Sequence, residues 1–146
     1  MVNLKEHKKE VFFFSIAVVV VLLDQLTKYL FLKFNYIFNL NYLTLHLIKN
    51  TGAGFGLLKG QTWLLTIIST IVVILVILLF PRIPPEKKPL FFTALFLGGT
   101  LGNLIDRLLR KFVVDFIDFS FWPAFNIADA CITVGVIGLV YYMLLK

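Results

Sequence analysis

The stretch "FNIADACITVG", residues 125–135, decides how the chain is read, because it opens the last apolar run yet carries Asn126 and Asp129. A carboxylate at the middle of a bilayer costs about 3 kcal/mol on insertion scales, and the cost falls toward either interface. Phe125 begins the run and Asp129 lies about one turn inside it, so the stretch is the start of a membrane span rather than its interior. Asn126, Asp129 and Thr133 fall at i, i+3 and i+7 on one helical face, which can point into a bundle.

The rest of the chain supports a membrane reading. Its 146 residues are 60% hydrophobic and include 16 Phe, too apolar for one small soluble core. Four stretches, 11–31, 62–80, 90–109 and 125–145, have about 20 residues each, which at ~1.5 Å per residue matches a hydrocarbon core of ~30 Å. The first has lysines ahead of an apolar run, as a signal peptide does. It ends in "DQLTKYL" (24–30) with no A-x-A cleavage site, so it is expected to be retained. The expected fold is an all-α membrane protein, a four-transmembrane-helix bundle forming a single domain over 1–146.

The formal net charge of +6 does not indicate nucleic acid, because the 14 Lys and Arg lie mostly at span ends and in loops. Residues 1–10 hold Lys5, Lys8 and Lys9, and "PRIPPEKKP" (81–89) holds Arg82, Lys87 and Lys88; residues 32–61 hold only Lys33, Lys49 and Lys59. The positive-inside rule therefore places both termini and the proline-rich connection in the cytoplasm, and the loops 32–61 and 110–124 outside. Arg110 and Lys111 count the other way without reversing the balance.

"FNLNYLTLHLIKN" (38–50) alternates loosely, as short strands do, and "NTGAGFG" (50–56) follows with glycines suited to a tight turn. "KFVVDFIDFSFWPAF" (111–125) is rich in aromatic and β-branched residues, and Trp122 and Phe125 suit a membrane interface. Strands from the two loops are expected to pair into a small cradle, a β-containing subdomain on the outer face.

Ionisable groups within spans are site candidates by default. Asp24 and Lys28 stand four apart on the first span, acid before base, in ion-pair register. On the third, "GGTLGNLIDRLL" (98–109) sets Gly98, Gly102 and Asp106 at intervals of four, with Asn103 and Arg107 on the adjacent stripe. The glycines permit close helix packing, and Asp106 and Arg107 suit an ion pair or a loop anchor. Asp115 is flanked by Val113, Val114, Phe116 and Ile117, so it can be desolvated and its pKa raised, whereas Asp118 reads as solvated. A loop as short as 115–129 can fold Asp115 back onto Asp129. Two carboxylates held close cannot both ionise easily, and one protonated beside one ionised can activate water against an amide carbonyl.

Other peptide-cleaving chemistry lacks its parts. His7 and His46 are the two histidines and no H-E-x-x-H occurs, which argues against a zinc protease. Ser15, Ser69 and Ser120 have no neighbouring His, and no G-x-S-x-G is present. Cys131 is the one cysteine, so it has no disulfide partner within the chain and reads as a packing residue. Three alternatives stay open on the residues alone: an ion- or proton-conducting transporter subunit, a divalent-cation site built from Asp106, Asp115, Asp118 and Asp129, and a structural scaffold with buried ion pairs.

"DQLTKYL" (24–30), "NTGAGFG" (50–56), "GNLIDR" (102–107), "VVDFI" (113–117) and "FNIAD" (125–129) resemble, in order, the blocks of the lipoprotein signal peptidases, the type II signal peptidases of bacterial membranes. The resemblance implies an aspartic endopeptidase that cleaves prolipoproteins before a diacylglyceryl-modified cysteine. It implies Asp115 and Asp129 as the catalytic pair, and supporting roles for Asp24, Lys28, Asn50, Gly52, Asn103, Asp106, Arg107 and Asn126. Asn50 and Asn126 are expected to orient the substrate backbone. The family's usual serine after "AD" is Ala130 here, one hydroxyl fewer. No metal or other cofactor is expected. The implied partners are the lipid-bearing substrate and membrane lipid, the expected location is the bacterial inner membrane with the site near its outer face, and the expected state is a monomer.

Overall fold

A computed structural model describes residues 4–53, 57–119 and 121–145. Helix α1 runs over Leu4–Phe34. No glycine or proline interrupts it, so it continues well past both ends of the expected 11–31. It stops where Asn35 turns to φ +47 and returns its N–H to the Phe31 carbonyl, a left-handed residue just past a helix end. Helix α2 spans Thr62–Leu79 and passes into a short 3-10 helix, Phe80–Arg82, as Pro81 ends the α ladder. Lys9 reaches across from α1 to the carbonyls freed there, donating to Phe80 O at 3.1 Å and Ile83 O at 2.7 Å.

Helix α3, Lys87–Arg110, is the central post of the bundle: 61% of its apolar window is buried, against 17–22% for the other three helices. Phe13 and Ala17 of α1 and Val73 of α2 pack on Leu90, Ala94 and Leu97 of α3. Helix α4, Ile127–Leu144, packs on its other side, where Gly99 lies against the Ala128 carbonyl and Ile132. Gly102 is pressed between the Asp24 carboxylate and the Ala128 methyl. The outer faces of the helices carry exposed Leu22, Leu26, Ile71, Leu78, Ile137 and Val140, an apolar surface suited to lipid. Among the described residues, four helices are long and apolar enough to cross a membrane.

The expected strands form at the bundle end shared by the C-terminus of α1 and the N-terminus of α4. Strands β1 (Phe38–Leu40), β2 (Leu43–Asn50), β3 (Val113–Phe119) and β4 (Trp122–Phe125) pair antiparallel in that order. The β2–β3 register shifts between Leu45 and Ile48, beside Asp115. Two expectations are refined. Phe125 closes β4 rather than opening a helix, because Asn126 takes an extended conformation and caps α4. Asp118 is not simply solvated: it pairs with His46 of the neighbouring strand at 3.0 Å. Gly54, Phe55 and Gly56 of the glycine turn, and Ser120, lie outside the described residues.

Candidate active site

The first turn of α4 explains the polarity of "FNIAD". Asn126 is the N-cap, its side-chain oxygen accepting from the Asp129 N–H at 2.9 Å, and the Asp129 carboxylate accepts from the Asn126 N–H at 3.2 Å. This reciprocal capping box satisfies backbone donors that a helix start leaves open, and it pins the Asp129 side chain to the helix end. The other carboxylate oxygen of Asp129 accepts from Asn103 Nδ2 of α3 at 2.8 Å.

Asp115 reaches the same place from β3. It is 1% exposed and accepts from Asn50 Nδ2 and Asn126 Nδ2, each at 2.8 Å. Asn50 holds its own orientation by accepting from the Gly52 N–H at 2.9 Å, a side-chain turn at the end of β2. A Cβ on Gly52 would come within 2.8 Å of the Leu57 carbonyl, so glycine is needed for the chain to double back. Asn126 Nδ2 also lies within reach of Asn103 Oδ1 and the Val114 carbonyl, but its shortest contact is to Asp115. Both asparagines expected to orient substrate thus spend amide donors on the Asp115 carboxylate. Burial, reinforced by the nearby Asp129 charge, raises the Asp115 pKa to about 7 against the opposing amide hydrogen bonds and the Lys28 charge.

Asp115 and Asp129 line one cleft of about 460 Å³, together with Asn50, Gly52, Asn103 and Arg107. Arg107 donates to Ser69 Oγ on α2 at 3.1 Å, which holds its guanidinium along the wall. The cleft continues past Ala130 and Thr133 to Val134, which is 50% exposed on the flank of α4. Ala130 therefore puts a methyl on the wall.

Behind the cleft lies a buried ionic cluster. Lys28 Nζ is 2.8 Å from Asp24 and 3.2 Å from Asp106, all three fully buried. Asp106 also accepts from Arg110, from Gln25 and from the N–H of Val114, the second residue of β3, which ties α3 to that strand. Asp24 accepts from the Ala128 N–H at 3.0 Å. Gln25 and Arg110 were not singled out in the sequence. The i+4 spacing from Asp106 would have identified Arg110, whereas Gln25, one residue off the Asp24–Lys28 stripe, gave no signal beyond being polar in a span.

A shared cation site for four aspartates does not form. Asp106 is committed to Lys28 and Arg110, Asp118 faces His46, and no three potential ligand side chains converge among the described residues.

Comparison with known proteins gives a consistent picture. The family described as Signal peptidase (SPase) II matches residues 16–145. The lipoprotein signal peptidase of Caldanaerobacter subterraneus subsp. tengcongensis is 42% identical over 142 residues, covering 90% of this chain and 94% of that one. That of Bacillus pumilus is 43% identical over 146 residues, covering 92% and 93%. A solved bacterial membrane enzyme, determined by the in meso method at 2.3 Å, aligns with a TM-score of 0.83 at 35% identity, covering 88% of this chain and 85% of that chain.

Proposed function

Because the chain belongs to the signal peptidase II family and is a membrane protease by that membership, we propose that it removes signal peptides from prolipoproteins by an aspartic mechanism. The observation that carries the mechanism is the convergence of Asp115 and Asp129, from separate elements, on one cleft where amide donors brace both carboxylates. With Asp115 at about 7, a substantial share of the molecules keep one proton on the pair near neutral pH. The ionised carboxylate takes a proton from a water molecule as its oxygen bonds to the scissile carbonyl carbon. The protonated partner gives its proton to the carbonyl oxygen, forming a tetrahedral intermediate. Collapse breaks the C–N bond: the nitrogen leaves with a proton returned by the carboxyl that first took one, while a hydroxyl of the intermediate returns its proton to the partner carboxylate as the carbonyl re-forms. No acyl-enzyme forms.

The bond cut lies just before the diacylglyceryl-modified cysteine. The continuation of the cleft to the exposed flank of α4 supports this, since a substrate anchored by its own lipid can enter sideways. The lysine distribution favours cytoplasmic termini, hence a site near the outer face of the bacterial inner membrane. The whole chain acts as one domain and as a monomer.

The test is cleavage of a purified diacylglyceryl prolipoprotein by wild type, Asp115→Asn and Asp129→Asn. Each substitution is expected to lower kcat by about 1000-fold or more while the protein remains folded in detergent. Wild-type turnover by either well-folded variant would remove that residue from the mechanism.

A further inference from the structure

We propose that Lys28 is a positioning residue for the aspartate pair, acting through Asn103 rather than only as the cation of a structural ion pair. A carboxamide can lie in either of two flipped orientations, and only one offers Nδ2 to Asp129. Asn103 Oδ1 faces two donors, Lys28 Nζ at 2.9 Å and Asn126 Nδ2 at 3.1 Å. Flipping the amide would turn its NH2 group onto an ammonium and another NH2, leaving buried donors opposed. The flip is thereby fixed, and Nδ2 must point at Asp129, which it reaches at 2.8 Å. Lys28 is itself fully buried and fixed by Asp24 and Asp106.

The same ion pair holds Asp129 a second way. Asp24 Oδ2 engages Lys28 while Asp24 Oδ1 accepts the Ala128 N–H, the residue before Asp129 in the first turn of α4. One acid–base pair on α1 thus fixes both the backbone that carries Asp129 and the amide that aims it. The ammonium also stabilises the ionised form of Asp115, so its loss should be legible in a pH profile. The charged groups around the aspartates are Asp24 and Lys28 from α1, and Asp106, Arg107 and Arg110 from α3. Of these, Lys28 alone touches Asn103.

The inference rests on the catalytic reading of Asp115 and Asp129, so Asp129→Asn is measured first. Near-wild-type cleavage by that variant would fail the mechanism itself. With the mechanism standing, the paired variant Asp24→Asn/Lys28→Met removes two opposite buried charges together and leaves Asp106 its Arg110 partner. On the purified full chain we expect KM within about twofold of wild type, kcat lowered about 10-fold or more, and the alkaline limb of kcat, where the pair loses its remaining proton, shifted to higher pH. Asn103→Ala leaves every ion pair in place and should lower kcat by a similar factor. In its background the Asp24→Asn/Lys28→Met effect on kcat should shrink, because the two act along one path. A purely structural ion pair predicts unchanged kcat per folded molecule for the paired variant. That result, or wild-type kcat for Asn103→Ala, would overturn the proposal even where the paired variant folds poorly.

Discussion

At the scale of single residues, the role proposed for Asp115 ties chemistry to stability. Its pKa of about 7 in the folded protein lies above the ordinary carboxylate value of 3.8, so between those values the folded state binds the extra proton. Stability from this group is therefore present at low pH and is lost as pH rises from about 4 through about 7. Thermal unfolding of the purified protein should show wild type losing on the order of 2–4 kcal/mol across that window. Asp115→Asn should flatten this slope, and a slope unchanged by the substitution would place the titration elsewhere. The apolar neighbours of Asp115 made its desolvation legible in the sequence. The aim of Asn50 and Asn126 was not legible, because it depends on strand register and on a capping geometry that no local pattern specifies.

Among elements, the start of α4 carries the most information per residue. Phe125 looked like the first residue of a helix because an aromatic run cannot distinguish a strand end from a span. The asparagine after it is the true boundary signal, a cap residue three positions before an acid. Serine at 126 can still cap but is too short to donate to Asp115. Asn126→Ser should therefore keep about 1 kcal/mol more stability than Asn126→Ala, while both lose turnover. Equal Tm values for the two would show that the cap contributes little. The Gly98/Gly102 spacing announced close packing, and Gly102 shows what it serves: a Cβ there would run into the Asp24 carboxylate. Gly102→Ala should cost about 1–3 kcal/mol and disturb turnover through the α1–α4 contact, read as a lower Tm with lower kcat.

Over the whole molecule, polarity is sorted by end. The buried ionic cluster, the sheet and the cleft gather at one end of the bundle, and the Lys9 clamp on the α2 terminus sits at the other. The four apolar runs and the cradle were readable because bilayer thickness and strand alternation leave few options. That α3 is the central post was not, since its hydropathy is the lowest of the four. It is buried against protein rather than lipid, so its polar residues are matched by partners on other helices. Lys9→Met should lower Tm by releasing the Phe80 and Ile83 carbonyls, with kcat unchanged; a parallel loss of turnover would show that the two ends are coupled.

The capping box at Asn126 and Asp129 has a consequence for motion. Helix starts ordinarily fray, and their first amides exchange with solvent quickly. Here the Ala128 and Asp129 amides are tied to side chains that also hold the aspartate pair, so fraying and loss of the site are one event. Deuterium should enter these two amides about as slowly as mid-helix positions of α4, and faster entry should track the inactive fraction of any variant.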